Sequence, residues 1–227
     1  AQASSLELHA DPGWHALIHH EARTLGTGTR STVSSDWFFL ADNGHRDPRA
    51  ELHATLGALA ENPEIGIREE AAACVFSARR AWLAERLDLS SFPEPACPRR
   101  DEWLAALNAQ KAWLVFPSAY LNSPASMFGH TLLRIDGTAG SEESPLLAYA
   151  VNFAAETDET NGLVFAFNGL TGGYRGQFSV MPYYEKVREY SRLESRDLWE
   201  YPLNLDAEEL HRVMLHLWEL RGVEFDY

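Results

Sequence analysis

Hydrophobic positions follow two rhythms along this chain. In the first part they recur every three or four residues. In "PGWHALIHHEARTL", Trp14, Leu17, Ile18 and Leu25 lie on one stripe, which predicts a helix with one buried face. Asp47-Pro48 then reads as a cap followed by proline at the first helical position, and Leu52, Leu56 and Leu59 carry a second helix onward. The alanine-rich stretch from Arg68 to Leu87 predicts a third, with Val75, Trp82 and Leu83 on its inner side. "LSSFPEPACPRRDEW" carries three prolines and breaks any helix. The boundary belongs there, with a helical domain over 1–98 and a second domain over 99–227.

A short helix over Asp101 to Gln110 leads into the second rhythm. "AWLVF", "HTLLRI", "LLAYAVNF" and "GLVFAF", and later "RDLWEYPL", are short β-type runs, most of them bounded by Gly, Pro, Ser or Asn. Asp206, with Glu209 three residues on, has capping-box spacing and opens a last helix lined by Leu210, Val213, Met214, Leu217 and Leu220. Helices, then an antiparallel sheet, then a helix describe an α+β fold.

Charge narrows the partners. Asp and Glu number 33 against 19 Lys and Arg, a net charge of −14 over 227 residues. That sign repels phosphate backbones, and no basic run offsets it, so nucleic acid is not an expected partner. No stretch approaches the ~20 apolar residues that span a bilayer. No basic head and apolar run remain at the start, and Ala1-Gln2-Ala3 suits the cut end of an exported protein whose signal peptide has been removed. Cys74 and Cys97 are the two cysteines. They fit one disulfide tying a helix to its following loop, worth about 3 kcal/mol, or else two separate buried thiols.

Among candidate chemical groups, His130 stands out. In "SPASMFGHTLLRID" a small-residue turn delivers it to the start of a strand, where alternation groups His130, Leu132, Arg134 and Asp136 on one face. The other face, Thr131, Leu133 and Ile135, reads as core. A histidine so placed can serve as a general base; it can equally be a satisfied structural residue. "FNGLTGGYRGQFS", 167–179, fits neither phosphate-loop spacing and reads as a glycine-rich hairpin loop, with Arg175 able to meet an anionic group. His15 and His19, four apart, share a predicted helix face, followed by His20 and Glu21, but lack HExxH spacing and a third linked ligand. No metal and no cofactor is expected. His211 and His216 are five apart, a poor geometry for joint ligation. G-x-S-x-G is absent, and Ser118, Ser123 and Ser126 suit a turn.

"LVFPSAYLNSPASMFGHTLLRID", "LLAYAVNFAA", "GLTGGYRGQFSVMPYYEKVREYS" and "RDLWEYPLNL…HLWEL", in that order, resemble an exported bacterial family. It includes the N-terminal periplasmic domain of the lipoprotein acyltransferase Lnb. "FFLADNGHRDPRAELHATL" and "CVFSARRAWL" resemble the helical segment that precedes that domain in relatives. The resemblance implies a periplasmic, cell-envelope protein with a sheet similar to permuted papain-like (NlpC-type) folds. It implies thiol chemistry on lipid-linked or peptide substrates, with a thioester that a second acceptor resolves. His130 falls on the family's Gly-His position as base, and Asn152 on a polar position of the next strand, able to orient the imidazole. Arg134 and Arg175 are then anchors for a negatively charged group. Relatives place the nucleophilic cysteine in an Asn-Cys pair beyond the last helix, so the domain is expected either to be truncated before its nucleophile or to have lost the thiol, and to be inactive over 1–227. Attachment to a downstream membrane or barrel segment fits the same family. The other option is a non-catalytic envelope-binding module in which His130 is structural.

Overall fold

The computed structural model describes residues 7–23, 27–66, 69–118, 131–137, 145–155, 175–193 and 197–226. Residues 101–214 form one compact unit; residues up to 100, together with 215–226, form another.

In the unit that holds residues up to 100, α1 (Pro12–Leu17) starts where the Asp11 carboxylate accepts from Gly13 N. It ends sooner than the apolar stripe predicts. The Ser31 hydroxyl donates to Ile18 O at 2.8 Å, occupying the carbonyl that a longer helix would use. His19 then takes a left-handed φ of 52°. That reversal lets β1 (His20–Ala22) pair antiparallel with β2 (Thr29–Ser31). Leu25 lies outside the described residues.

Helix α2 (Pro48–Glu61) forms as its signals predict. Asp47 accepts from Arg49 N and Ala50 N, and Asn62 closes the helix in the left-handed conformation. The expected third helix is instead a hairpin of β3 (Glu64–Ile65) and β4 (Glu70–Ala71), then α3 (Ala72–Val75) and α4 (Ser77–Ala84). The interruption is Phe76, at φ −100° and ψ 52°. Its buried ring lies 4.2 Å from the Arg79 guanidinium, while Ser77 Oγ donates to Cys74 O at 2.8 Å. Arg68 is outside the described residues. Cys74 and Cys97 form a disulfide, with Cα atoms 5.4 Å apart. Trp14, Ile18, Leu52, Leu59, Trp82 and Leu83 belong to this unit's core. The chain's last described strand, β10 (Glu224–Asp226), lies against 32–34, where Asp226 N donates to Thr32 O and Ser34 N to Glu224 O.

Helix α5 (Pro98–Leu107) begins on its proline and leads into β5 (Lys111–Pro117), β6 (Leu132–Asp136), β7 (Tyr149–Ala155), β8 (Arg175–Pro182) and β9 (Leu198–Pro202). These five run β8-β7-β6-β5-β9, each neighbour antiparallel. "GLVFAF" lies outside the described residues. Residues 175–179, expected in a glycine-rich loop, are strand: Gly176 pairs with Ala155, and the chain alternates onward to Pro182. Glycine content outweighed period two in the sequence pattern there. Helix α6 (Tyr183–Val187) packs Tyr183 and Val187 on Val115, Leu132 and Ala150. That cover buries the face of Leu132, Arg134 and Asp136, while on the opposite face Ile135 is buried as expected, Leu133 is half-buried and Thr131 is exposed. The last helix, α7 (Ala207–Glu219), has its capping box in place: Asp206 N donates to Glu209 Oε2 at 2.9 Å and Glu209 N to Asp206 Oδ1 at 2.8 Å.

Candidate functional site

His130, Ser123 and Ser126 lie outside the described residues. The described strands beside the start of β6 define one end of the sheet. Register places Ser179, Asn152, Leu132, Val115 and Glu200 in one row across the sheet. Directly paired residues project to the same side, so Asn152 shares a face with Leu132. Asn152 is buried, and Ser179 Oγ donates to its carbonyl oxygen at 3.4 Å. Arg175 is exposed at the first position of β8. Ser118 and Asp197 close the same end, Ser118 N donating to Asp197 O at 2.8 Å and Asp197 N to Ser118 Oγ at 3.1 Å.

Two positions along β6, Arg134 is turned into the structure and is 2 % exposed. Its Nε and Nη2 donate to the two Asp136 carboxylate oxygens, each at 2.8 Å, a bidentate pair. Nη1 donates to Glu200, whose other oxygen accepts from the Tyr183 hydroxyl. Trp113 Nε1 donates to Asp136 Oδ2 at 2.8 Å, and the guanidinium lies 4.6 Å from the Trp113 ring centroid. Burial works against the Arg134 charge, but the Asp136 hydrogen bonds and the Glu200 and Asp136 charges outweigh it and raise its pKa. Burial, reinforced by Glu200, likewise keeps Tyr183 protonated well above the usual phenol range. Two carboxylates thus compensate one guanidinium, so Arg134 joins β6 to β9 from within. Asp136 was legible as its same-face neighbour; Glu200, 66 residues away, was not.

The sheet also carries Phe116, Trp199 and Tyr201 exposed together, 39 %, 59 % and 53 % accessible. Phe116 pairs with Trp199 across the strands and meets the Tyr201 ring edge-on at 5.9 Å.

Several histidines of the helical unit are held by protein partners. His15 and His19 do not share a helix face, because α1 stops at Leu17. His15 Nε2 meets His9 O at 2.9 Å; His20 is held by Thr29 Oγ1 at 3.0 Å and Gly44 O at 2.9 Å. His19 stacks on His216, Nε2 to Nε2 at 3.1 Å. Among the described residues no group of three or more His, Cys, Asp or Glu is arranged to hold a metal ion.

The Lnb N-terminal periplasmic domain matches residues 99–227, more than half of the chain. The chain belongs to that family. A domain of unknown function (DUF7843) matches residues 6–86. No curated protein and no solved structure matches the chain. Membership of the Lnb N-terminal periplasmic domain family makes this a periplasmic protein of the cell envelope. The Cys74–Cys97 disulfide suits that oxidising compartment. Among the described residues no helix is long and apolar enough to cross a membrane.

Proposed function

We propose that the Lnb-type domain carries the acid–base half of a cysteine-dependent acyltransferase or hydrolase, of papain-like design, acting on lipid-linked or peptide substrates. The supporting observation is Asn152: a buried carboxamide paired with Leu132, two positions in sequence after His130. A carboxamide in that position suits the task of holding an imidazole in one orientation. Arg175, exposed at the start of β8, is the cation suited to an anionic group on the substrate. Arg134, already matched by Asp136 and Glu200, braces the strand instead.

The two cysteines within the 227 residues are bonded to each other, so the proposal assigns the thiol to residues outside 1–227. His130 would accept the thiol proton as the sulfur attacks the acyl carbonyl. The leaving group would depart with that proton, and an amine or water would then resolve the thioester. The test is to read the coding sequence past residue 227 and express whatever longer chain it specifies. A downstream cysteine that reacts with an electrophilic probe, and loses that reactivity in His130→Ala, supports the proposal. No downstream cysteine, or labelling indifferent to His130→Ala, overturns it.

The second reading, a non-catalytic envelope-binding module, is favoured by the exposed Phe116, Trp199 and Tyr201. Aromatic side chains of this kind dominate recognition surfaces. In that case His130→Ala leaves binding to envelope fractions unchanged, whereas Trp199→Ala with Tyr201→Ala abolishes it.

A further inference from the structure

The helical unit buries a charged cluster that the chemistry proposed above does not use. Arg79 is fully buried between the Phe38 and Phe76 rings, 4.3 and 4.2 Å from their centroids. Its Nη1 donates to Glu51 Oε1 at 2.7 Å and its Nη2 to Phe38 O at 2.9 Å. Glu51 also accepts from Leu40 N and Ala41 N, so both its oxygens are supplied with donors. Gly44 belongs to this arrangement: a Cβ there would stand 2.3 Å from Glu51 Oε2.

Glu219, on α7, is the second carboxyl around the same guanidinium. Its side chain is wholly enclosed; Oε1 accepts from the Arg79 backbone N at 2.9 Å. Oε2 has no hydrogen-bond partner and lies 3.7 Å from Arg79 Nε, which also has none. Two buried carboxyls therefore share one cation; the guanidinium donates to Glu51, while Glu219 is held by backbone amides. The cation that acts on Glu219 is this same Arg79, already paired with Glu51. His19 and His216 sit beside this cluster as a stacked pair. Burial, with the Arg79 charge adding to it, holds them neutral: His19 titrates at about 4 and His216 at about 3. A cavity of about 20 Å³, the size of one water, adjoins Glu219 and is lined by Trp37, Glu70, Trp218 and Arg221 among others. Glu70 and Arg221 oppose one another in charge, and the Arg221 guanidinium lies over the Trp218 ring at 4.1 Å.

We propose that Glu219 carries a proton in the folded protein at neutral pH, and that its ionisation loosens the end of α7 from the helical unit, making this carboxyl a pH-sensitive latch. A neutral acid leaves the Arg79 charge to Glu51, whereas an ionised Oε2 adds a second buried negative charge beside that one guanidinium and favours entry of water from the adjoining cavity. Burial pushes the Glu219 carboxyl up to about 7, with Arg79 and two backbone amides pulling the other way. The folded state therefore binds this proton more tightly than the unfolded state does. The latch's contribution to stability is whole below the ordinary carboxyl range and is lost as pH rises through about 7.

The experiment compares the 227-residue protein with Glu219→Gln, the uncharged isostere, by equilibrium unfolding from pH 5.5 to 8.5. The ratio of their unfolding constants should change about thirtyfold across that range, with the wild type losing ground as pH rises. In parallel, hydrogen exchange at Leu217–Leu220, corrected for intrinsic rates, should accelerate above neutral pH in the wild type alone. Infrared spectra of the wild type with labelled glutamate cover the case in which Glu219→Gln fails to fold: a protonated carboxyl band should be present at pH 6 and gone at pH 8.5. A pH-independent ratio, or the absence of that band at pH 6, overturns the proposal.

Discussion

At the scale of single residues, the protein places charge where it can be counted. Arg134 has lost water on nearly all sides, and its compensation comes from Asp136, two positions away, and Glu200 on another strand. Removing one member of a buried ion group leaves the others uncompensated, which costs more than the group contributes when whole. Arg134→Ala should therefore destabilise the protein by about 3–5 kcal/mol, read as a shift in urea midpoint. Arg134→Lys keeps the charge but cannot make the bidentate pair with Asp136, so it should fall between the two. An alanine variant within a few tenths of a kcal/mol of wild type, a surface-residue value, would show that the network carries no such burden.

Among the elements, ends are decided by chemistry of short range. Asp47 and Asp206 cap their helices with the hydrogen bonds their spacing predicts, and Asn62 stops α2 by turning left-handed. Interruptions have partners of their own: α1 ends because Ser31 takes Ile18 O, and the α3–α4 break turns Phe76 toward Arg79, three residues on. The disulfide acts at the same scale, joining α3 to the segment just before α5 across 23 residues. Cys74→Ala with Cys97→Ala should lower stability by about 3 kcal/mol, the loop-closure value for a ring of that size, and reduction of the wild type should do the same. Intact mass without reductant should be two hydrogens below the value with it. Equal stability of the oxidised and reduced forms would contradict that role.

For the molecule as a whole, titration sums over all buried groups, and the helical unit contains opposed terms. His19 and His216 titrate at about 4 and about 3 in the folded state, below the ordinary histidine value of 6.5, because burial and Arg79 disfavour the imidazolium. The unfolded chain binds those protons first, so stability is intact above pH 6.5 and falls as pH drops toward 4. Glu219 slopes the other way, which sets a maximum near neutrality. His216→Phe retains an aromatic ring without the titration and should flatten the acid limb between pH 6.5 and 4 in thermal melts. An acid limb as steep as the wild type's would place the titration elsewhere.

The sequence alone determined the α+β order, the capped helices, the strand alternation around Leu132 and Asn152, the cysteine pair as one of two options, and the family resemblance. Each of these is written in spacings of a few residues or in a motif order, so local sterics and hydrogen bonding suffice to read it. Tertiary structure decided where helices break, that both faces of β6 are covered, and which charges meet. It turned Arg134 from an expected ligand anchor toward Glu200, 66 residues away, and set Glu219 against Arg79 across 140 residues. Those partners carry no local signature: burial strips their water away, and only the fold determines which opposite charge replaces it.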